Sequence, residues 1–157
     1  MIALKSALEQ CAWADAKLFD FLSGLTDDAW RAKAAEDEWH VAALTFHLIA
    51  SADWYRYQLG GTLTFSSEPQ SIAEVRALGP VWKTIDDFLV TESLKEDGEV
   101  TWVEDGKTFS ALRSAVLTEA IIHSVEHRVH IAAALKSGGH PQLKLEDYSV
   151  WAYTSNR

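Results

Sequence analysis

Apolar side chains recur every three or four residues from about Ala3 to Gly24, at Leu4, Ala7, Leu8, Cys11, Ala14, Leu18 and Leu22. That spacing builds one buried helical face. Gly24 is the expected stop, and Thr26 is placed to cap a short turn through Arg31, with Asp27 and Asp28 near its positive end. A polar link at 35–38 leads to a second helix, from about Val41 to Leu59, closed by Gly60-Gly61. After a loop from Thr62 to Gln70, Ser71 and Glu74 form a capping box that opens a third helix. Gly79-Pro80 interrupts its pattern and predicts a kink or break near Leu78, because proline lacks the ladder donor.

The period changes between Glu99 and Phe109, where Val100, Trp102 and Phe109 flank Asp105-Gly106. This predicts a β-hairpin that must lean on the helices, since an isolated hairpin is marginal. Ser110 is the expected cap of the longest helix, Ala111 to about Lys136, which ends at Gly138-Gly139. The segment from Leu145 to Tyr153 is expected to close over one end. The predicted fold class is all-α: a four-helix bundle, up-and-down or with one longer crossover, and a small β-hairpin before the fourth helix.

The fourth helix carries His123, His127 and His130, half of the six histidines, within eight residues. At roughly 100° per residue their side chains fall within about 60° of one another. Leu112, Val116 and Ala134 extend the same line, so the imidazoles are expected to interrupt a buried stripe. The second helix repeats the feature: His47 shares a face with Ala43, Ala50, Ser51 and Trp54, and His40 projects near it at the start. Neutral imidazoles gathered on inward faces suit a cation, because each ring offers a lone pair.

Spacing narrows the ligand sets. His123 and His127, at i and i+4, can share one ion, whereas His130 stands about 10 Å along the axis from His123. The third ligand must come from another helix, and His47 is best placed. Three nitrogens would leave a coordination position open, as in catalytic sites. His127 with His130, or His40 in place of His47, are alternative sets. His130 and His40 otherwise stand as pocket candidates, as do Ser51 and Trp54. Glu119 is placed to fix the tautomer of His123 or to sit at a wet end. Arg128 lies off the histidine face and reads as a solvated or interface charge. Ser-Val-Glu at 124–126 departs from the H-E-x-x-H pattern of zincin peptidases.

Composition bounds the rest. The 157 residues suit one domain, and seven Trp, four Tyr and six Phe favour a packed interior with an aromatic-walled pocket. A net charge of −9 argues against nucleic acid or an anionic membrane as partner. The single cysteine, Cys11, excludes an intramolecular disulfide and reads as an inert core thiol. With no basic-then-apolar leader and no spanning run, a soluble cytoplasmic domain is expected. Leu117, Ile121, Ile122, Val125, Val129 and Leu135 lie off the histidine face, which predicts a second buried face and a homodimer.

Trp13-Ala14-Asp15, Trp39-His40-Val41 leading into His47, and the string from His123 to Ile131 resemble the DinB-like family of metal-binding four-helix bundles. That family includes bacillithiol and mycothiol S-transferases and related hydrolases. The resemblance covers most of the chain and implies His47, His123 and His127 as metal ligands. Two positions depart from the pattern. His40 stands where a serine-type cap is frequent, and His130 where glutamine is common.

The expected function is therefore a metal-dependent thiol transferase, isomerase or hydrolase. A divalent transition ion, zinc or nickel, would activate a low-molecular-weight thiol or a water. The alternatives are a non-catalytic metal-binding stress-response bundle and a metal-free bundle whose histidines belong to the core.

Overall fold

The computed structural model describes residues 3–34 and 39–155, so the polar link expected at 35–38 lies outside the described residues. Four long helices form the bundle: α1 (Leu4–Ser23), α3 (Val41–Gln58), α5 (Gly79–Glu92) and α6 (Arg113–Ser137). Short helices α2 (Asp27–Trp30) and α4 (Ile72–Arg76) lie in the connections, and a 3-10 turn (Leu145–Tyr148) leads into α7 (Val150–Ser155). Helix α1 packs on α5 and α6, and α3 packs on the same two. Consecutive α1 and α3 thus occupy opposite corners, as do consecutive α5 and α6, so the connections α1–α3 and α5–α6 both cross the bundle diagonally.

The local signals act as the sequence implies. The Thr26 hydroxyl accepts from the Ala29 N–H, and α2 then drives Trp30 into the core, where its indole N–H donates to the Leu22 carbonyl at 3.1 Å. Leu18, Leu22, Leu44, Ile49, Ile85, Leu117, Ile131 and Leu135 fill the centre. The Gly79-Pro80 interruption is a full break: α4 ends at Arg76 and α5 begins at Gly79, with proline in its first turn where no ladder donor is needed. Gly79 also lets α5 approach α1, because a Cβ there would lie 2.6 Å from the Phe19 ring.

Strands β1 (Glu99–Glu104) and β2 (Lys107–Leu112) form the antiparallel hairpin, pairing Trp102 with Phe109 and Glu104 with Lys107. Its turn has positive φ at both central residues, 49° at Asp105 and 73° at Gly106, the geometry that matches strand twist. The hairpin leans on α3 through the Tyr57 hydroxyl, which donates to the Val103 carbonyl at 3.0 Å.

Ser110 is not the cap of the longest helix. It is paired with Thr101 in the ladder, and α6 starts three residues later. Asp97 caps from across the hairpin, accepting from the Ser114 N–H at 2.9 Å and the Ser114 hydroxyl at 2.8 Å. Leu112 likewise leaves the predicted buried stripe. It closes β2, where it is exposed, while Val116 and Ala134 are buried as expected. Among the described residues, no helix is long and apolar enough to cross a membrane.

Candidate metal centre

The cluster forms where α3 meets α6. One full turn separates His123 from His127 on α6, so both rings leave the same side of the helix. His47 projects from α3 toward them. Ring centroids lie 4.3 Å apart for His123–His127, 4.6 Å for His47–His127 and 5.2 Å for His47–His123. One ligand nitrogen from each lies within 4.8 Å of the others. Nitrogens sharing a tetrahedral ion at about 2.0–2.1 Å stand roughly 3.4 Å apart, so the set is close to closing on one cation.

Electrostatics keep the cluster ready for a metal. Burial, and secondarily the neighbouring His123, hold the His47 pKa below the ordinary 6.5. Burial also lowers His123, against the opposing charges of Glu126 and Glu119. Neutral rings keep the lone pairs that a metal requires. The His123 Nε2 is buried and has no hydrogen-bond partner among the described residues, as fits a nitrogen left for a ligand. The chemistry of the donor set and this orphaned atom both fit a divalent ion.

Aromatic rings wall the cluster. Trp39 lies 4.6 Å from His47 and is stacked 6.4 Å from His127, while Tyr55 meets the edge of His123 at 5.9 Å. Burial raises the Tyr55 phenol to about 12, so it stays a neutral hydrogen-bonding group. His47 and Trp39 also line a cleft of about 970 Å³ that runs past Phe46 to Ile72 on α4. Of the three clustered imidazoles, His47 is the one that lines this cleft.

The other candidate residues take distinct places. His40 is the N-cap of α3: its Nδ1 accepts from the Ala43 N–H at 2.9 Å, and the residue lines the cleft rather than joining the ligand group. His130 is exposed, its ring 5.2 Å from His127 and outside the three-nitrogen set. The Ser51 hydroxyl stands 3.5 Å from His47 Nε2. Trp54 packs against Tyr57 at 5.2 Å, and exposed Glu119 acts on His123 through its charge.

Arg128 requires correction. It is buried, not solvated, and its guanidinium donates to Asp15 Oδ1 and to the Ser124 hydroxyl, each at 2.8 Å. Ser124 also donates to Asp15 at 2.6 Å, and the Tyr148 ring covers the guanidinium at 5.6 Å. Asp15, Ser124 and Arg128 therefore lock α1 to α6 directly behind the histidines. A signal for this was present: Asp15 falls one turn after Cys11 on the apolar face of α1, where an acid needs a partner. The Cys11 thiol donates to it at 3.5 Å, and burial first, then the Asp15 charge, push that thiol well above its usual range. Cys11 is thus a poor nucleophile, as its place in the pattern suggests.

Fold and site together define a helical bundle whose three-histidine centre could hold a metal ion. The chain belongs to the DinB family, whose model matches residues 1–155. No curated protein matches the sequence.

Proposed function

We propose that this protein is a metal-dependent enzyme that holds one divalent transition ion, zinc or nickel, on His47, His123 and His127. Its substrate would be a small molecule, with a low-molecular-weight thiol as first choice and hydrolysis as the runner-up reaction. One observation carries the reading: three imidazole nitrogens from two helices converge within 4.8 Å beside a cleft large enough for a small molecule. A bound ion would act there as a Lewis acid, lowering the pKa of a thiol or water into the neutral range.

The chain's own residues support the other requirements. His40 is engaged as a cap and His130 faces solvent, so neither closes the ligand set. Trp39 and Tyr55 restrict water around the imidazoles, and Trp39, Phe46 and Ile72 give the cleft an apolar lining for a substrate body. The resemblance to bundles that transfer low-molecular-weight thiols favours a thiol over water. A homodimer belongs to the same reading, supported by the exposed stripe Ile122, Val125 and Val129 on α6.

Elemental analysis of wild type against His127→Ala tests the metal. We expect close to one equivalent of transition metal in wild type and little in the variant, and equal contents would sink the assignment. Turnover of the metal-loaded protein with thiols across a panel of electrophiles and esters then tests the enzyme. Absence of turnover with a full metal complement would leave only a binding protein.

A further inference from the structure

The cleft beside the cluster carries a feature that metal binding does not use. Along α3, His40, Ala43, His47 and Ala50 share one face and all line the cleft, the two alanines leaving a trough between the imidazoles. His47 lies seven residues after His40, about 10 Å along the axis. At the far end, Lys33 and His40 are paired in an isolated antiparallel bridge, which Val41 braces by donating its N–H to the Ala32 carbonyl at 3.0 Å. Residues paired in this way hold their Cβ atoms about 5 Å apart on one side of the backbone. Lys33 lines the cleft, and so does Arg31, two residues earlier.

All three side chains are donors. The His40 Nδ1 accepts from the Ala43 N–H, so the neutral ring must carry its proton on Nε2, and no hydrogen bond among the described residues uses that atom. Lys33 is exposed and makes no ion pair among them. Two acids also line the cleft, Asp27 and Glu68. Asp27 is matched by Arg76 at 2.6 Å and reaches Arg31 only at 4.0 Å, where both side chains are exposed. Arg31 and Lys33 therefore exceed the unmatched Glu68 by one charge, in a chain whose net charge is −9. The positive end of the α3 dipole adds to that surplus.

We propose that Arg31, Lys33 and the His40 Nε2–H form a carboxylate subsite. The cleft then takes a small molecule whose anionic group lies about 10 Å from the group that reaches His47. A surplus of one cation suits a monoanion rather than a phosphate dianion. His40 is thus a specificity-determining residue as well as a helix cap.

What reacts at His47 rests on the function proposed above, but the subsite can be read without metal. Calorimetric titration of the metal-free protein with octanoate, against octanol as the neutral partner of equal length, isolates the anionic group. We expect wild type to prefer octanoate, and the preference to weaken as salt is raised. The double variant Lys33→Gln with His40→Ser should lose about tenfold in octanoate affinity. Serine keeps a helix cap while withdrawing the N–H donor, and Lys33 is exposed, so this variant should melt like wild type. No preference for octanoate in wild type, or unchanged octanoate affinity in the folded double variant, overturns the proposal. If the double variant fails to fold, Lys33→Gln with Arg31→Gln decides it by the same reading. Zinc-loaded protein titrated with ω-mercaptooctanoate and ω-mercaptooctanol separates the two claims. A wild type that takes no zinc yet prefers octanoate removes the metal assignment and leaves the subsite standing. A wild type that binds both thiols equally through zinc, as the variant does, keeps the metal and removes the subsite.

Discussion

Asp15 of α1 and Arg128 of α6 form an ion pair at 2.8 Å with their side chains only 4% and 5% exposed. Two charges taken this far from water are tolerable only as a matched set, with Ser124 and the Tyr148 ring completing it. The pair lies one residue beyond His127 in the chain, so the register of α6 against α1 is held beside the candidate ligands.

Removing one partner should be severe. Arg128→Ala or Asp15→Asn is expected to cost about 3–5 kcal/mol in urea unfolding, because the remaining group stays buried without its complement. Replacing both, Asp15→Leu with Arg128→Met, should recover much of that loss. If the single variants unfold like wild type, the pair is not what secures this contact.

Zinc should stabilise the fold through the three histidines. At a free concentration of about 100 times Kd, a ligand specific for the native state adds roughly 2.7 kcal/mol. Thermal scans with and without zinc should show that shift in wild type and lose it in His127→Ala. His40→Ala should retain the shift while lowering basal stability by about 1 kcal/mol, since it removes only a helix cap.

Acid should act on the cluster from both directions. His47 and His123 have folded-state pKa values depressed below 6.5 by burial. The unfolded chain therefore takes up these protons first, and stability falls as the pH drops through 6.5 toward the depressed folded values. Protons also compete with the metal for the same nitrogens. We expect zinc retention, followed by dialysis at stepped pH, to collapse over this window in wild type. Retention unchanged down to pH 4 would contradict imidazole ligation.

Asp86 should behave in the opposite sense. Its folded pKa is raised well above the ordinary 3.8, so its stabilising contribution is complete below 3.8 and fades as pH rises toward the folded value. Asp86→Asn removes the cost of holding an ionisable acid in the interior. Urea midpoints should therefore favour the variant at pH 7–8, with the advantage shrinking as pH approaches 4. A constant difference across that range would show that Asp86 does not titrate anomalously.

The hairpin turn offers a local control. Gly106→Ala meets no atom within 4 Å but must keep φ at +73°, which should cost about 1 kcal/mol. Gly98 is equally open and has no such backbone demand, so Gly98→Ala should be close to neutral. Equal losses at the two positions would mean that the turn conformation is not the cause.

Much of the bundle was legible from short-range chemistry. Thr26, Ser71, Gly79-Pro80 and Asp105-Gly106 each act on neighbours a few residues away, and each produced the expected cap, break or turn. The helical spacing of His123 and His127 had the same local origin. His40 shows the limit of such reading. Its position just before Val41 marks an N-cap as well as a candidate ligand, and the backbone N–H of Ala43 decides between them. Ser110 also had cap chemistry, but the ladder opposite Thr101 claims it, and Asp97, drawn in by the hairpin, caps instead.

Residue order alone therefore determined where helices begin and end, where the strands turn back, and which imidazoles share a helical face, because those follow from backbone geometry over one or two turns. Only the packed chain decided that His47 reaches His123 and His127, and that Arg128 points inward. Its partner Asp15 lies 113 residues away, and a side chain's direction across such a distance depends on how whole helices seat against one another.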